Sequence, residues 1–170
     1  MKSIKIEIKW AVLFSIMSLA WMFLEKITGL HDKYIDYQMY LTNLFAIPAT
    51  IMLYLALRDK KRNYYNGQMD FKQGVTSGIV LSLFIAFLTP FVQWVVSFVI
   101  TPNFFNNAIN RSIQLGYYGT FDEAKAQFNF ANYVRQGTFG ALALGVITSA
   151  ILMVFLQTKP KKNKQSETSF

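Results

Sequence analysis

Four long apolar runs, nearly free of charge, constrain this chain more than any other feature. They fall at about residues 8–27, 40–57, 74–100 and 137–156. Their apolar stretches, Ile8–Leu24 with Lys9 at its start, Tyr40–Leu57, Val75–Ile100 and Thr138–Leu156, extend roughly 26, 27, 39 and 29 Å as helices, against a hydrocarbon core of about 30 Å. Only helices can cross a bilayer as single segments, because every backbone N–H and C=O must be paired without water. The pattern predicts an all-α integral membrane protein: a four-helix bundle over residues 1–158, followed by a basic, disordered tail over 159–170. The third run is over-long and should tilt, kink or protrude.

Direction follows from the cations. Lys2, Lys5 and Lys9, the Arg58–Lys72 loop, and Lys159, Lys161, Lys162 and Lys164 place twelve Lys and Arg on one side; Lys26, Lys33, Arg111, Lys125 and Arg135 make five on the other. The richer side is expected in the cytoplasm, with both termini. A cleaved secretory signal ending at Ser18-Leu19-Ala20 is the rival reading, but Trp21-Met22-Phe23-Leu24 carries the apolar run past that point.

The formal charge of +8 suits the flanks of membrane spans, and no nucleic-acid motif accompanies it, so nucleic acid is not an expected partner. The expected partners are the bilayer itself, anionic lipid at the C-terminal Lys cluster, and a second copy or another membrane protein.

Small residues recur at every fourth position in spans three and four: Gly74, Gly78, Ser82 and Ala86, then Gly137, Ala141, Gly145 and Ser149. Such spacing lines one helix face. Lipid gives helices little hydrophobic reason to pair, so close backbone approach must supply the attraction, and small residues allow it. The two stripes are predicted to face each other; a homo-oligomer contact is the alternative use. Pro48 and Pro90 should kink spans two and three, either as static bends or as gates. The intramembrane polar residues Asn43 and Gln93 are expected to bridge helices by hydrogen bonds.

Residues 101–137 are the substantial segment outside the spans. Thr101-Pro102 reads as a helix start, with Phe105, Ile109 and Ile113 on one face. Thr120-Phe-Asp-Glu123 reads as a capping box opening a second helix that can run unbroken into span four. The segment is rich in aromatic residues, which suits an interfacial belt, a docking surface or a cover over a groove.

The sequence offers no catalytic set and no cofactor or metal motif, and it has no cysteine. His31 beside Asp32 reads as a solvated loop residue. Glu25 and Lys26 read as edge residues that pair or snorkel, which leaves no ionisable group near mid-membrane and argues against proton coupling.

The chain resembles the bacterial membrane-protein family called domain of unknown function 4199. The resemblance is carried by Phe71-Lys-Gln-Gly74 entering span three, by the outside segment with Gly119-x-Phe-Asp-Glu123, and by Gly145-Val-Ile-Thr-Ser149 closing span four. It implies a four-span protein of the bacterial inner membrane and no activity or functional residues. The expected role is non-enzymatic, through protein or lipid contacts; the alternative is a small-solute or lipid transporter or channel subunit.

Overall fold

A computed structural model describes residues 4–158. Lys2 and the tail cations Lys159, Lys161, Lys162 and Lys164 lie outside the described residues. Among those described there is no strand, and four helical segments are long and apolar enough to cross a membrane.

The first segment is α1, Lys5–Ile27. The second is broken into α2, Ile35–Leu41, a 3-10 turn, Thr42–Phe45, and α3, Ala46–Asn63. The third is α4, Phe71–Val95, finished by a π turn, Val96–Ile100. Two short helices follow, α5 (Phe104–Gln114) and α6 (Phe121–Gln127), before the last segment, α7, Phe130–Leu156.

Several boundaries depart from the sequence reading, each for a local reason. Helix α3 runs six residues beyond Leu57 because its charged last turns find partners on other helices, described below. Pro48 sits in the first turn of α3, where a missing N–H costs least; the break in the span is the 3-10 turn just before it. Pro90 lies inside α4 without ending it, and the irregularity comes later: the backbone N–H and hydroxyl of Thr101 both donate to the Val96 carbonyl, at 2.8 and 3.1 Å, widening the last turn. Thr101 is thereby committed to closing α4, and α5 starts at Phe104 with no side-chain cap. Its buried residues are Phe104, Ala108, Ile109 and Ser112, a face rotated from the expected Phe105–Ile109–Ile113 line.

Thr120 does cap α6 by accepting from the Glu123 N–H, but Glu123 answers to the Gly119 N–H rather than to that of Thr120. The run into span four is not continuous. Asn129 is extended, and its side chain accepts from the Asn132 N–H at 2.9 Å, capping α7 two turns before Gly137. Helix α4 starts on a full capping box between Asp70 and Gln73.

Packing centres on α4 and α7, the pair in most extensive contact, with α1 laid against α4. Gly74 lies against Met153, Gly78 against Ser149, Gly145 against Ser82 and Gly137 against Thr89. Positions fall by four on one helix as they rise by four on the other, so each glycine accepts a larger residue from its antiparallel neighbour. Ser82, Ser149 and Met153 are fully buried in this seam. A methyl group built on Gly78 or Gly145 would come within 2.3 Å of the opposing serine, whereas at Gly140 it would meet nothing within 4 Å.

The seam predicts a graded response. Gly78→Leu and Gly145→Leu should each cost about 1–3 kcal/mol of packing and lower the melting temperature in detergent by about 5 °C, while Gly140→Leu leaves it unchanged. Equal melting temperatures for all three would contradict the seam.

Candidate functional site

The helices that pack so closely at the α4–α7 seam leave space elsewhere. Because the second span is interrupted at Thr42–Phe45, its outer half does not lie along α1 and α7. A cavity of about 520 Å³ opens between the four spans. Phe45 reaches towards α1, its ring edge-on to Phe14 and tilted against Trp21, at 5.9 and 5.8 Å. Across from it, Gly137, Gly140 and Ala141 of α7 leave the wall open. Ala11, Leu53, Ala56, Leu81 and Ile85 pack into a buried apolar cluster, and Leu53 and Ile85 also line the groove. That cluster is its floor, on the side of the chain termini.

The lining is mostly apolar, with neutral polar groups spaced around it: Ser15, Ser18, Thr50, Thr89, Gln93 and Thr148. Asn43 also lines it. Neither amide bridges two spans as expected. Asn43 donates to the Met39 carbonyl and Gln93 to the Ser97 hydroxyl, each within its own segment, because the helices that should have met there are held apart by the groove.

Each end of the groove carries a buried charge cluster, and here the sequence reading needs correction. At the terminal end Glu7 of α1 is buried, with one carboxylate oxygen 2.7 Å from Lys60 Nζ and 2.7 Å from the Ser77 hydroxyl, which donates to it. Lys60 is equally buried and lies 4.2 Å from the centre of the Tyr64 ring. Nearby, the Asp59 carboxylate accepts from Lys9 and from Trp10 Nε1, and Lys61 Nζ donates to the Leu156 carbonyl at 2.7 Å. These contacts tie the end of α3 to α1, α4 and α7.

At the opposite end Glu25 is 1% exposed and His31 is 4% exposed, so His31 is not a solvated loop residue and Glu25 does not pair with Lys26. One Glu25 oxygen accepts from Trp21 Nε1 at 2.5 Å; the other lies 3.0 Å from His31 Nε2. The loop brings His31 back under α1 because Gly29, at φ 81°, turns the chain where a side chain would be strained. Helix α5 covers the pair. The Phe104 ring stands edge-on to His31 at 5.1 Å, and Asn107 donates to the His31 carbonyl at 2.9 Å. Helix α5 is held to α7 through Phe104 and Phe105 against Tyr133 and to α2 by a two-point Arg111–Asp36 pair, at 2.7 and 2.6 Å. That carboxylate pushes the Arg111 guanidinium above its ordinary value. Trp21 belongs to both regions: it lines the groove and, with Glu25, a second apolar cavity of about 310 Å³.

Glu7, Lys60, Ser77 and the Glu25–His31 pair were missed from the sequence. A signal was there. Glu7 and Glu25 are eighteen residues apart, five full helical turns, and Ala11 and Ser18 fall on the same face of α1. Among the described residues no three His, Cys, Asp or Glu side chains come together as metal ligands do.

A family model described as "Protein of unknown function (DUF4199)" matches residues 9–158. No curated protein and no solved structure matches the chain.

The Glu7–Lys60 pair makes a prediction of its own. Lys60→Met strands a buried carboxylate and should cost about 3–5 kcal/mol, whereas Glu7→Leu with Lys60→Met, which removes both charges, should recover most of it. Thermal melts of the single and double variants in one detergent decide this; a double variant no better than the single one would refute it.

Proposed function

The chain belongs to the DUF4199 family of proteins of unknown function, and from that premise we propose that it is a non-enzymatic, multi-pass protein of the bacterial inner membrane that holds a lipid-like ligand in its groove. The groove carries the reading. Its size falls in the roughly 300–1,000 Å³ range of small-ligand sites, and it lies among uncharged spans where lipid is the surrounding solvent. Hydroxyls and amides, without a charged group, suit an uncharged apolar chain whose few polar atoms accept or donate single hydrogen bonds.

Filling the groove tests this. Gly140→Leu points into open space, and Ala49→Trp places a ring in the lining. Each should cut the lipid retained on gentle purification, read by native mass spectrometry, by about tenfold, or 1.4 kcal/mol, at unchanged melting temperature. Equal retention in wild type and both variants would refute the ligand reading.

A second reading, movement of a lipid or small solute across the membrane, draws on Asn43, Thr89 and Gln93 lining one cavity. Leaflet-to-leaflet transfer of a fluorescent lipid in proteoliposomes separates the two, since a holder retains lipid without accelerating transfer.

The excess of Lys and Arg on the terminal side supports cytoplasmic termini. Because the chain has no cysteine, single thiols report sidedness directly. In intact cells an impermeant maleimide should label Tyr117→Cys and spare Gln68→Cys; the reverse pattern inverts the topology.

A further inference from the structure

We propose that Glu25 and His31 form a proton-binding site at the non-terminal end of the bundle, and that its occupancy sets how firmly α5 is seated beside the groove. The evidence is geometric. One Glu25 oxygen accepts from Trp21 Nε1 and the other lies 3.0 Å from His31 Nε2; with Glu25 as the carboxylate, that second contact requires the imidazole proton on Nε2. Nδ1 is then a bare lone pair. It is buried and has no hydrogen-bond partner among the described residues.

The surroundings supply no competing cation to the carboxylate. Lys26 on α1 is exposed, and Lys33 on the following loop lies over the Tyr34 ring. Asp32 accepts from the Lys33 backbone N–H. Arg111 of α5 is engaged by Asp36 of α2, Tyr34 and Tyr37 line the apolar cavity beside Glu25, and Tyr133 of α7 packs behind Phe104. The pair with a neutral imidazole holds one uncompensated negative charge out of water.

Taking up a proton from hydronium in the outside solution forms one N–H bond at Nδ1, breaks one O–H bond and releases water, and brings the pair to zero net charge. Coulombic attraction to Glu25 favours this step in a low-dielectric site. It also converts a lone pair into a charged N–H that has no acceptor, and a buried unpaired donor is the costlier of the two. Water is the acceptor available, and α5 covers the residue, with the Phe104 ring against the imidazole and Asn107 on the His31 backbone carbonyl. Proton uptake therefore loosens α5, and loss of the proton reseats it. Trp21 carries the change inwards, since the indole that donates to Glu25 is also groove wall. That last link rests on the groove being a ligand site; the proton site and its effect on α5 do not.

The composition makes the test unusually direct. His31 is the lone histidine and there is no cysteine, so a chain carrying no histidine tag gives a single imidazole signal by NMR with isotope-labelled histidine in nanodiscs. A spin label on Asn110→Cys, at an exposed position of α5, reports mobility by EPR. The imidazole signal should change in one step as pH falls, and the label should become more mobile over the same step. In His31→Gln and Glu25→Gln the label should lose its pH dependence. The proposal is overturned by an imidazole signal that does not respond to pH, by one that responds while the label stays unchanged or becomes less mobile, or by a label response that persists in His31→Gln. The NMR titration needs no substitution at the site, so a variant that fails to fold leaves the test intact. No readout involves a groove ligand, so failure here leaves the lipid reading to be judged on retention alone.

Discussion

The close approach of α4 and α7 is the contact the rest of the structure depends on. In lipid, apolar side chains gain nothing by leaving one apolar neighbour for another, so association depends on how near two backbones can come. Alternating Gly78, Ser82 and Gly145, Ser149 across the seam bring these two together. Much of the two small-residue stripes lies in that contact, and other faces of the pair carry exposed Phe87, Phe91, Phe139 and Phe155. With α1 laid against α4, three of the four spans form a compact body.

The second span joins that body mainly through α3. It has no small-residue stripe, and it is interrupted where a straight helix would have reached the others. What fixes it is α3, through Leu53, Ala56 and Leu57 in the buried apolar clusters and through charge at its end: Lys60 to Glu7, Asp59 to Lys9 and Trp10, and Lys61 to the Leu156 carbonyl. A span held mainly near one end leaves its other half displaced, and the groove follows. The floor is apolar because Ala11, Leu53 and Leu81 lie where the attachment is tightest, and the lining extends to Thr42, Asn43 and Phe45 of the 3-10 turn.

Much of this was legible in the sequence. The four apolar runs gave spans, and the Phe71–Gly74, Gly119–Glu123 and Gly145–Ser149 segments gave the family. Beyond the spacing of Glu7 and Glu25, the site was not legible, for physical reasons that differ by residue. Lys60 and Glu7 look like ordinary flanking charges, because burial depends on α3 continuing past its apolar run, and hydropathy ends that run at Leu57. His31 looked solvated because its neighbours are polar, whereas its depth is set by the turn at Gly29 and by α5, which is more than seventy residues away in the chain. Asn43 and Gln93 were read as bridges on the assumption that the spans touch throughout. Pattern reports which face of a helix is polar; it does not report that a neighbouring helix is absent from that face.

The two buried pairs also bear on why polar groups persist in so apolar a protein. An ion pair out of water seldom outdoes well-packed hydrophobic residues of equal volume, so stability alone is a poor reason to keep either. At the terminal end the pair joins three helices, α1, α3 and α4, through Glu7, Lys60 and Ser77, and those atoms meet in one register only. A purely apolar contact in lipid would tolerate sliding of α3, the span that lacks a small-residue seam. Specificity of register is what that charge can supply. At the other end the partners Glu25 and His31 are six residues apart, on one helix and the loop that follows it. So close a pair fixes no register between spans. Each pair carries a buried atom with no hydrogen-bond partner among the described residues, Glu7 Oε2 at one end and His31 Nδ1 at the other; only the first pair joins separate spans, and that difference is the physical ground for assigning the first pair to architecture and the second to proton binding.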